Sequence, residues 1–111
     1  MTIPVLQAKP GEVVEVAPLG SELSTAQIVA IVRTDQIEVF RVVVPVGTNV
    51  QTHIFSREVI VHCLEGWVRL VAPVEEHELK AGQLLYWASD EPFSIVGVEN
   101  ASLLVTAAVR K

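Results

Sequence analysis

The sequence is poor in cysteine and in basic residues, and both shortages exclude whole classes of protein. Cys63 is the sole cysteine among 111 residues, so an internal disulfide is impossible. Eight Lys and Arg residues stand against 13 Asp and Glu residues, giving a formal net charge of -5, and the basic residues do not cluster. Nucleic-acid binding needs a concentrated basic surface. We therefore expect no nucleic-acid partner.

Long apolar segments are also missing. No uninterrupted apolar run approaches the length of about 18 residues that a transmembrane helix requires, so we expect no membrane partner. The opening residues MTIPVLQAKPGEVVEV lack a charged segment followed by a long apolar one, which predicts that they are not a signal peptide. Together with the lone thiol, this pattern favours a cytoplasmic location.

Hydrophobic residues, in contrast, are abundant. They make up 50% of the chain, and the mean hydropathy is +0.46. Either some strands are buried on both faces, or an apolar face is shared with a second subunit. We favour the second explanation, because a chain of this length has one domain and little interior. The predicted partner is therefore a second copy of this chain in a homodimer.

Short β-type runs separated by turn residues dominate the chain. They include EVVEV at 12–16, AQIVAIVRT, QIEVFRVVVPV, VIVHCL, WVRLVA, HELK, LLYWA, FSIVGV and SLLVTAAV. Turn signals recur about every eight to ten residues, which is typical of an antiparallel sandwich or barrel. TDQ and Gly82 are predicted to reverse the chain, and Gly66 in LEGW is predicted to form a hairpin. The one helical candidate is a turn near GSELSTAQ.

The stretch GTNVQTHIFSREVIVHCLEG resembles the first signature motif of the cupins, or RmlC-like jelly rolls. That motif is similar to G, five residues, H-x-H, three or four residues, E, six residues, G. Gly47, His53 and Gly66 match its two glycines and its first histidine. Counting back from Gly66, the second histidine position falls on Phe55 and the glutamate position on Val59.

The stretch GQLLYWASDEPFSIVG resembles the second cupin motif, in which Gly82 matches the first glycine and Phe93 takes the histidine position. The resemblance implies an all-β fold, a double-stranded β-helix or jelly-roll barrel of the cupin type. It implies one domain over 1–111, with the barrel core at 35–108. Residues 1–34 would supply N-terminal strands, with exchange of these strands between two subunits as one option.

The resemblance also implies where a metal would be held, because cupins use two histidines and a glutamate of the first motif and a histidine of the second. Only His53 remains, so we predict no metal and no other cofactor. Glu58 lies one residue from the glutamate position, and strand alternation turns it to the opposite face from Val59. A β-bulge could reverse that, so an atypical site formed by His53, Glu58 and His77 stays open.

Two kinds of function are compatible with these residues. The first is a cupin-like small-molecule binding or structural module that has lost the usual metal site. The alternative is a small enzyme, either a metalloenzyme with atypical ligands around His53 or a metal-independent isomerase or epimerase. In the latter, His53 would be the base and Tyr86 the acid. Trp87 is a further aromatic that could line an apolar cavity. The residues predicted to line the pocket are His53, Phe55, Val59, Val61, Cys63, Tyr86 and Phe93; no catalytic residue is assigned.

Overall fold

The computed structural model describes residues 3–25, 28–51, 58–88 and 93–109, which are mostly strand and turn beyond an irregular N-terminal segment. One short 3-10 helix spans Gly20–Thr25, and no α-helix lies within the described ranges. The seven strands are β1 (Val29–Arg33), β2 (Ile37–Val44), β3 (Asn49–Gln51), β4 (Glu58–Val71), β5 (Glu76–Lys80), β6 (Leu84–Ala88) and β7 (Ser94–Ala108). The prediction of an all-β fold is confirmed.

Two long strands, β4 and β7, organise the barrel. They pair with each other antiparallel from Val59–Ala107 to Val71–Ser94. The first part of β4 also pairs with β6 and its last part with β5, while β7 pairs first with β3 and then with β2. The strands form one antiparallel sheet in the order β1-β2-β7-β4-β5, with β3 paired to β7 and β6 paired to β4. β1, which pairs with β2, is one edge of this sheet.

Strand alternation sets which residues of β4 form the core. Val59, Val61 and Cys63 are buried, whereas Glu58 and Ile60, which alternate with them, are exposed. This confirms the period-two reasoning from the sequence. Equivalent buried positions on the other strands complete a single core, which includes Phe40, Val42, Val44, Val68, Leu70, Leu79, Ile95, Leu103 and Val105.

Gly66 does not form the predicted hairpin, and that prediction is wrong. It lies inside β4, where the pairing register with β7 shifts between Cys63 and Val68. Gly66 has φ of 83°, and a Cβ there would sit 2.7 Å from the Cα of Ala101 and closer still to the carbonyl oxygen of Asn100. The glycine therefore lets β4 deform while the backbone of the neighbouring strand β7 lies close against it.

The other predicted reversals are found. The Thr34 amide donates to the Ile37 carbonyl at 2.9 Å, closing the β1–β2 turn at the predicted TDQ. Gly82, with φ of 87°, reverses the chain between β5 and β6. The runs FSIVGV and SLLVTAAV, predicted as separate strands, are joined in the single strand β7.

The N-terminal segment is mostly irregular, and the predicted strand at 12–16 is wrong. Residues 12–16 are irregular, and Val13 in that stretch is 93% exposed. Residues nearer the start run parallel to β1 of the same chain, with Val5 bridged to Ala30. Exchange of this segment between subunits remains a prediction.

Glu65 links the start of the 3-10 helix to the barrel through hydrogen bonds. Its carboxylate accepts hydrogen bonds from the backbone amides of Leu19 (2.6 Å) and Gly20 (3.0 Å) and from the Ser102 hydroxyl (2.5 Å). Burial alone would raise the pKa of Glu65. The hydrogen bonds from Ser102, Leu19 and Gly20 and the positive charge of Arg41 outweigh it, so the pKa is lowered.

Candidate functional site in the barrel interior

The interior surface of β4 and β6 carries most of the described candidate residues. Val59 is paired with Trp87 across the two strands, so both side chains stand on the same face of the sheet. Phe93, just before β7, is 5% exposed and belongs to the same core as Val59. Trp87 packs against that core from β6. The result is a largely apolar surface on the inner face of β4 and β6.

Three rings form a connected group at this surface, which we call the Trp87 cluster: His77, Trp87 and Phe93. The Trp87 and Phe93 ring centroids are 5.6 Å apart with planes inclined at 56°. His77 meets Trp87 edge-on at 6.0 Å, and its Nε2 lies 2.7 Å from Oε1 of Glu75. His77 is half-buried, so it forms the solvent-facing end of the cluster.

One polar atom of the cluster is unusual. The indole Nε1 of Trp87 is buried and has no hydrogen-bond partner among the described residues. The other indole of the chain contrasts with it, because Trp67 donates from Nε1 to Oε1 of Glu78 at 3.0 Å. Buried N–H groups in folded proteins nearly always have a partner, so the Trp87 donor needs an explanation.

Tyr86 is not among the interior residues, which corrects the prediction that it lines the pocket. Its side chain is 59% exposed, and its hydroxyl donates to Oε1 of Glu58 at 2.8 Å on the outer face of the sheet. Neighbouring strand residues point to opposite faces, so Tyr86 and Trp87 cannot both line the interior. The pairing of Trp87 with the buried Val59 shows that Trp87 is the interior residue of the two.

The residues considered for an atypical metal site are not brought together. Glu58 lies on the outer face with Tyr86, whereas His77 is on the inner side against Trp87. His53 and Phe55 lie outside the described residues. Within the ranges that are described, no group of three or more His, Cys, Asp or Glu side chains is placed to bind a metal ion. The described donors therefore do not fit the metal that cupins hold.

Cys63 is buried within β4, on the same face as Val59 and Val61. Its Sγ lies 3.3 Å from the carbonyl oxygen of Glu65. Burial raises the pKa of the Cys63 thiol, a hydrogen bond with the backbone of Glu65 lowers it, and the negative charge of Glu65 raises it again, so the net shift is upward. A protonated, enclosed thiol is a poor nucleophile, and Cys63 acts here as a small apolar side chain.

Solved structures similar to this chain are cupins and proteins that share their fold. An RmlC-like cupin family protein from Methanocaldococcus jannaschii superposes with a TM-score of 0.69 at 18% identity, covering 88% of this chain and 93% of that one. A conserved protein of unknown function from Streptococcus pyogenes has a TM-score of 0.69 at 14% identity, covering 100% and 97%.

A third similar structure is the Cupin_2 domain of an XRE family transcriptional regulator from Enterobacter cloacae. Its TM-score is 0.64 at 12% identity, covering 76% of this chain and 96% of that domain. No protein-family model matches the sequence. No curated protein matches it either.

This chain therefore folds as a small cupin-type jelly roll. The fold predicted from the two degenerate motifs is confirmed, and one fold of this kind serves many chemistries. The helix that the structure describes has six residues, so none of the described helices could cross a membrane.

Proposed function

We propose that this cupin-type domain binds a small, mainly apolar molecule inside its barrel and holds no metal there. The observation that carries the proposal is the burial of Val59 and Phe93, which are 2% and 5% exposed. In the motif alignment these residues take the places of the metal-binding glutamate and of the second-motif histidine. Neither side chain has a lone pair to offer an ion, and both present only carbon and hydrogen to the barrel interior.

The enzyme alternatives have less support. A metal-independent isomerase would need an interior acid, and the Tyr86 hydroxyl is on the outer face, bonded to Glu58. A metalloenzyme built on Glu58 and His77 would need side chains that converge, and these two stand on opposite sides of the sheet. A structural module with an unoccupied interior is the remaining alternative.

Ligand binding can be tested by NMR on methyl-labelled protein titrated with methylenecyclohexane, a small hydrocarbon probe. We expect saturable shifts of the interior methyl groups of Val59 and Val61. The methyl groups of Val13 and Val74, which are 93% and 88% exposed, should not move and are the internal control. Absence of any interior shift up to the solubility limit of the probe would favour a structural module.

The metal-free part of the proposal is tested by elemental analysis. We expect purified protein to contain far less than one equivalent of Mn, Fe, Ni, Cu or Zn. Stoichiometric metal that disappears in His53→Ala, but stays in the control His62→Ala, would overturn it. His62 is a suitable control because it alternates with the buried Val61 and Cys63 and so lies on the outer face of β4.

We further propose that two copies associate through the outer face of β4 and β6. Ile60, Leu84 and Tyr86 are 42%, 62% and 59% exposed there, and Ile60 is paired with Tyr86 across the strands. Glu58, a carboxylate beside them, accepts a hydrogen bond from the Tyr86 hydroxyl. Two such faces could meet about a twofold axis and bury these apolar side chains against each other.

Light scattering of Leu84→Glu tests the dimer. We expect the wild-type chain to have the mass of two copies and Leu84→Glu that of one. Val74→Glu is the matched control, because Val74 is 88% exposed in the β4–β5 turn, away from this face. A monomeric wild-type chain would contradict the proposal.

The buried single thiol supports a reducing compartment, and we propose the cytoplasm.

A further inference from the structure

We propose that the indole N–H of Trp87 donates a hydrogen bond to an uncharged oxygen acceptor, such as a ketone, ester or amide carbonyl, on the molecule bound in the barrel. This inference rests on the proposed ligand-binding function and specifies the polar group of the ligand. Its starting point is the buried Nε1 atom, which has no partner among the described residues.

The position of Trp87 makes it suitable for that role. Its ring packs against the core opposite Val59 and touches Phe93 on one side and His77 on the other. A donor in such surroundings is the kind of polar group that fixes the orientation of a ligand in a mainly apolar site. A carbonyl oxygen at hydrogen-bonding distance would satisfy it, and the remaining carbon atoms of the ligand would contact Val59 and Phe93.

The charges around the cluster favour a neutral acceptor over a carboxylate or phosphate. His77, the ionisable member of the cluster, already contacts the Glu75 carboxylate. Arg33 and Arg69, in the described part of the chain, are paired with glutamates, and Arg41 donates to the carbonyl of Ala17 at 2.6 Å. An anion buried beside Trp87 would lack a counter-charge from these groups, which is costly in an apolar interior.

The test compares two probes of similar shape, cyclohexanone and methylenecyclohexane, which differ in having C=O or C=CH2. Both are titrated into protein labelled with 15N, in which the two tryptophans give two indole N–H signals. We expect cyclohexanone to move the Trp87 signal downfield and to bind about five- to tenfold more tightly than methylenecyclohexane, as one neutral hydrogen bond would give. Trp87→Phe, which keeps an aromatic ring, should abolish that difference.

Trp67→Phe is the matched control. Trp67 is already bonded to Glu78 and lies under the ammonium group of Lys80, 4.5 Å from its ring centroid, so it has no free donor for a ligand. We expect this variant to keep the preference for cyclohexanone.

The outcomes separate this inference from the proposed function. Equal binding of the two probes, with interior methyl shifts but no movement of the Trp87 indole signal, would overturn the hydrogen bond and leave the apolar site standing. A preference for the ketone that persists in Trp87→Phe would also overturn it. No interior shift with either probe would refute both proposals.

Discussion

Replacing Glu65 by glutamine should destabilise the protein at neutral pH, because the Glu65 carboxylate holds three donors at once. The amides of Leu19 and Gly20 and the hydroxyl of Ser102 all bond to it. A glutamine side chain has one acceptor oxygen and turns an NH2 group toward the remaining donors. Ser102 is fully buried, so its hydroxyl cannot turn to water instead.

The size of the effect follows from these contacts. A conservative value is about 1 kcal/mol net per bond, since bonds to a charged group contribute more than neutral ones, and glutamine can keep one of the three. Loss of the other two gives a decrease of about 2 kcal/mol in the free energy of unfolding. With a urea m-value of about 1–2 kcal/mol/M for a domain of this size, the unfolding midpoint should fall by about 1–2 M.

The effect should depend on pH. Because the pKa of Glu65 is lowered in the folded state, the unfolded state binds more protons in acid. The stabilisation is therefore fully present above the unfolded pKa of about 4.3 and is lost as the pH falls through the lower folded value. Glu65→Gln carries no such group, so its disadvantage relative to the wild-type chain should shrink on acidification.

Urea unfolding followed by tryptophan fluorescence at neutral and acidic pH measures both quantities. Glu76→Gln is the control, since Glu76 forms an exposed ion pair with Arg69 at 3.2 Å, and such pairs contribute about 0–1 kcal/mol. The reasoning is refuted if Glu65→Gln unfolds at the wild-type urea concentration at pH 7. It is equally refuted if the gap stays undiminished in acid.

Three further predictions concern single residues. Gly66→Ala should lower the free energy of unfolding by several kcal/mol, because its Cβ would collide with backbone atoms of Asn100 and Ala101. Gly82 has a similar φ but open space around it, so Gly82→Ala should lower it by only about 1–2 kcal/mol. Thermal unfolding of both variants measures the two losses, and equal losses would contradict the steric argument. Cys63 should react with a thiol reagent only at the rate at which the barrel opens, so that sub-denaturing urea accelerates labelling; fast, urea-independent labelling would show that its thiol is accessible. The hydrogen bond to Glu58, together with partial desolvation and the negative charge of Glu58, raises the pKa of Tyr86. Glu58→Gln should therefore lower the pKa of Tyr86, as measured by a phenolate absorbance titration. An unchanged titration curve would mean that the Tyr86–Glu58 pair does not form in solution.

The site could be predicted in part from the alternation of residues along a strand. That rule placed Val59, Val61 and Cys63 inside and Glu58 outside, and all four are found so. Applied to LLYWA, the same rule separates Tyr86 from Trp87, and register with Val59 then decides which of them is inside. The missing step was the pairing of β6 with β4, which depends on residues far apart in the chain.

The sequence by itself determined the all-β class, the turns at TDQ and Gly82 and the inner face of β4, because these depend on local backbone preferences and on a period of two. Only the tertiary structure decided that Gly66 lies within a strand, since the need for a glycine there comes from the close approach of the β7 backbone at Asn100 and Ala101. The hydrogen bonds of Glu65 and the unpaired indole N–H of Trp87 were likewise decided by the tertiary structure. A hydrogen bond, or its absence, depends on which distant segments meet, and no local pattern records that.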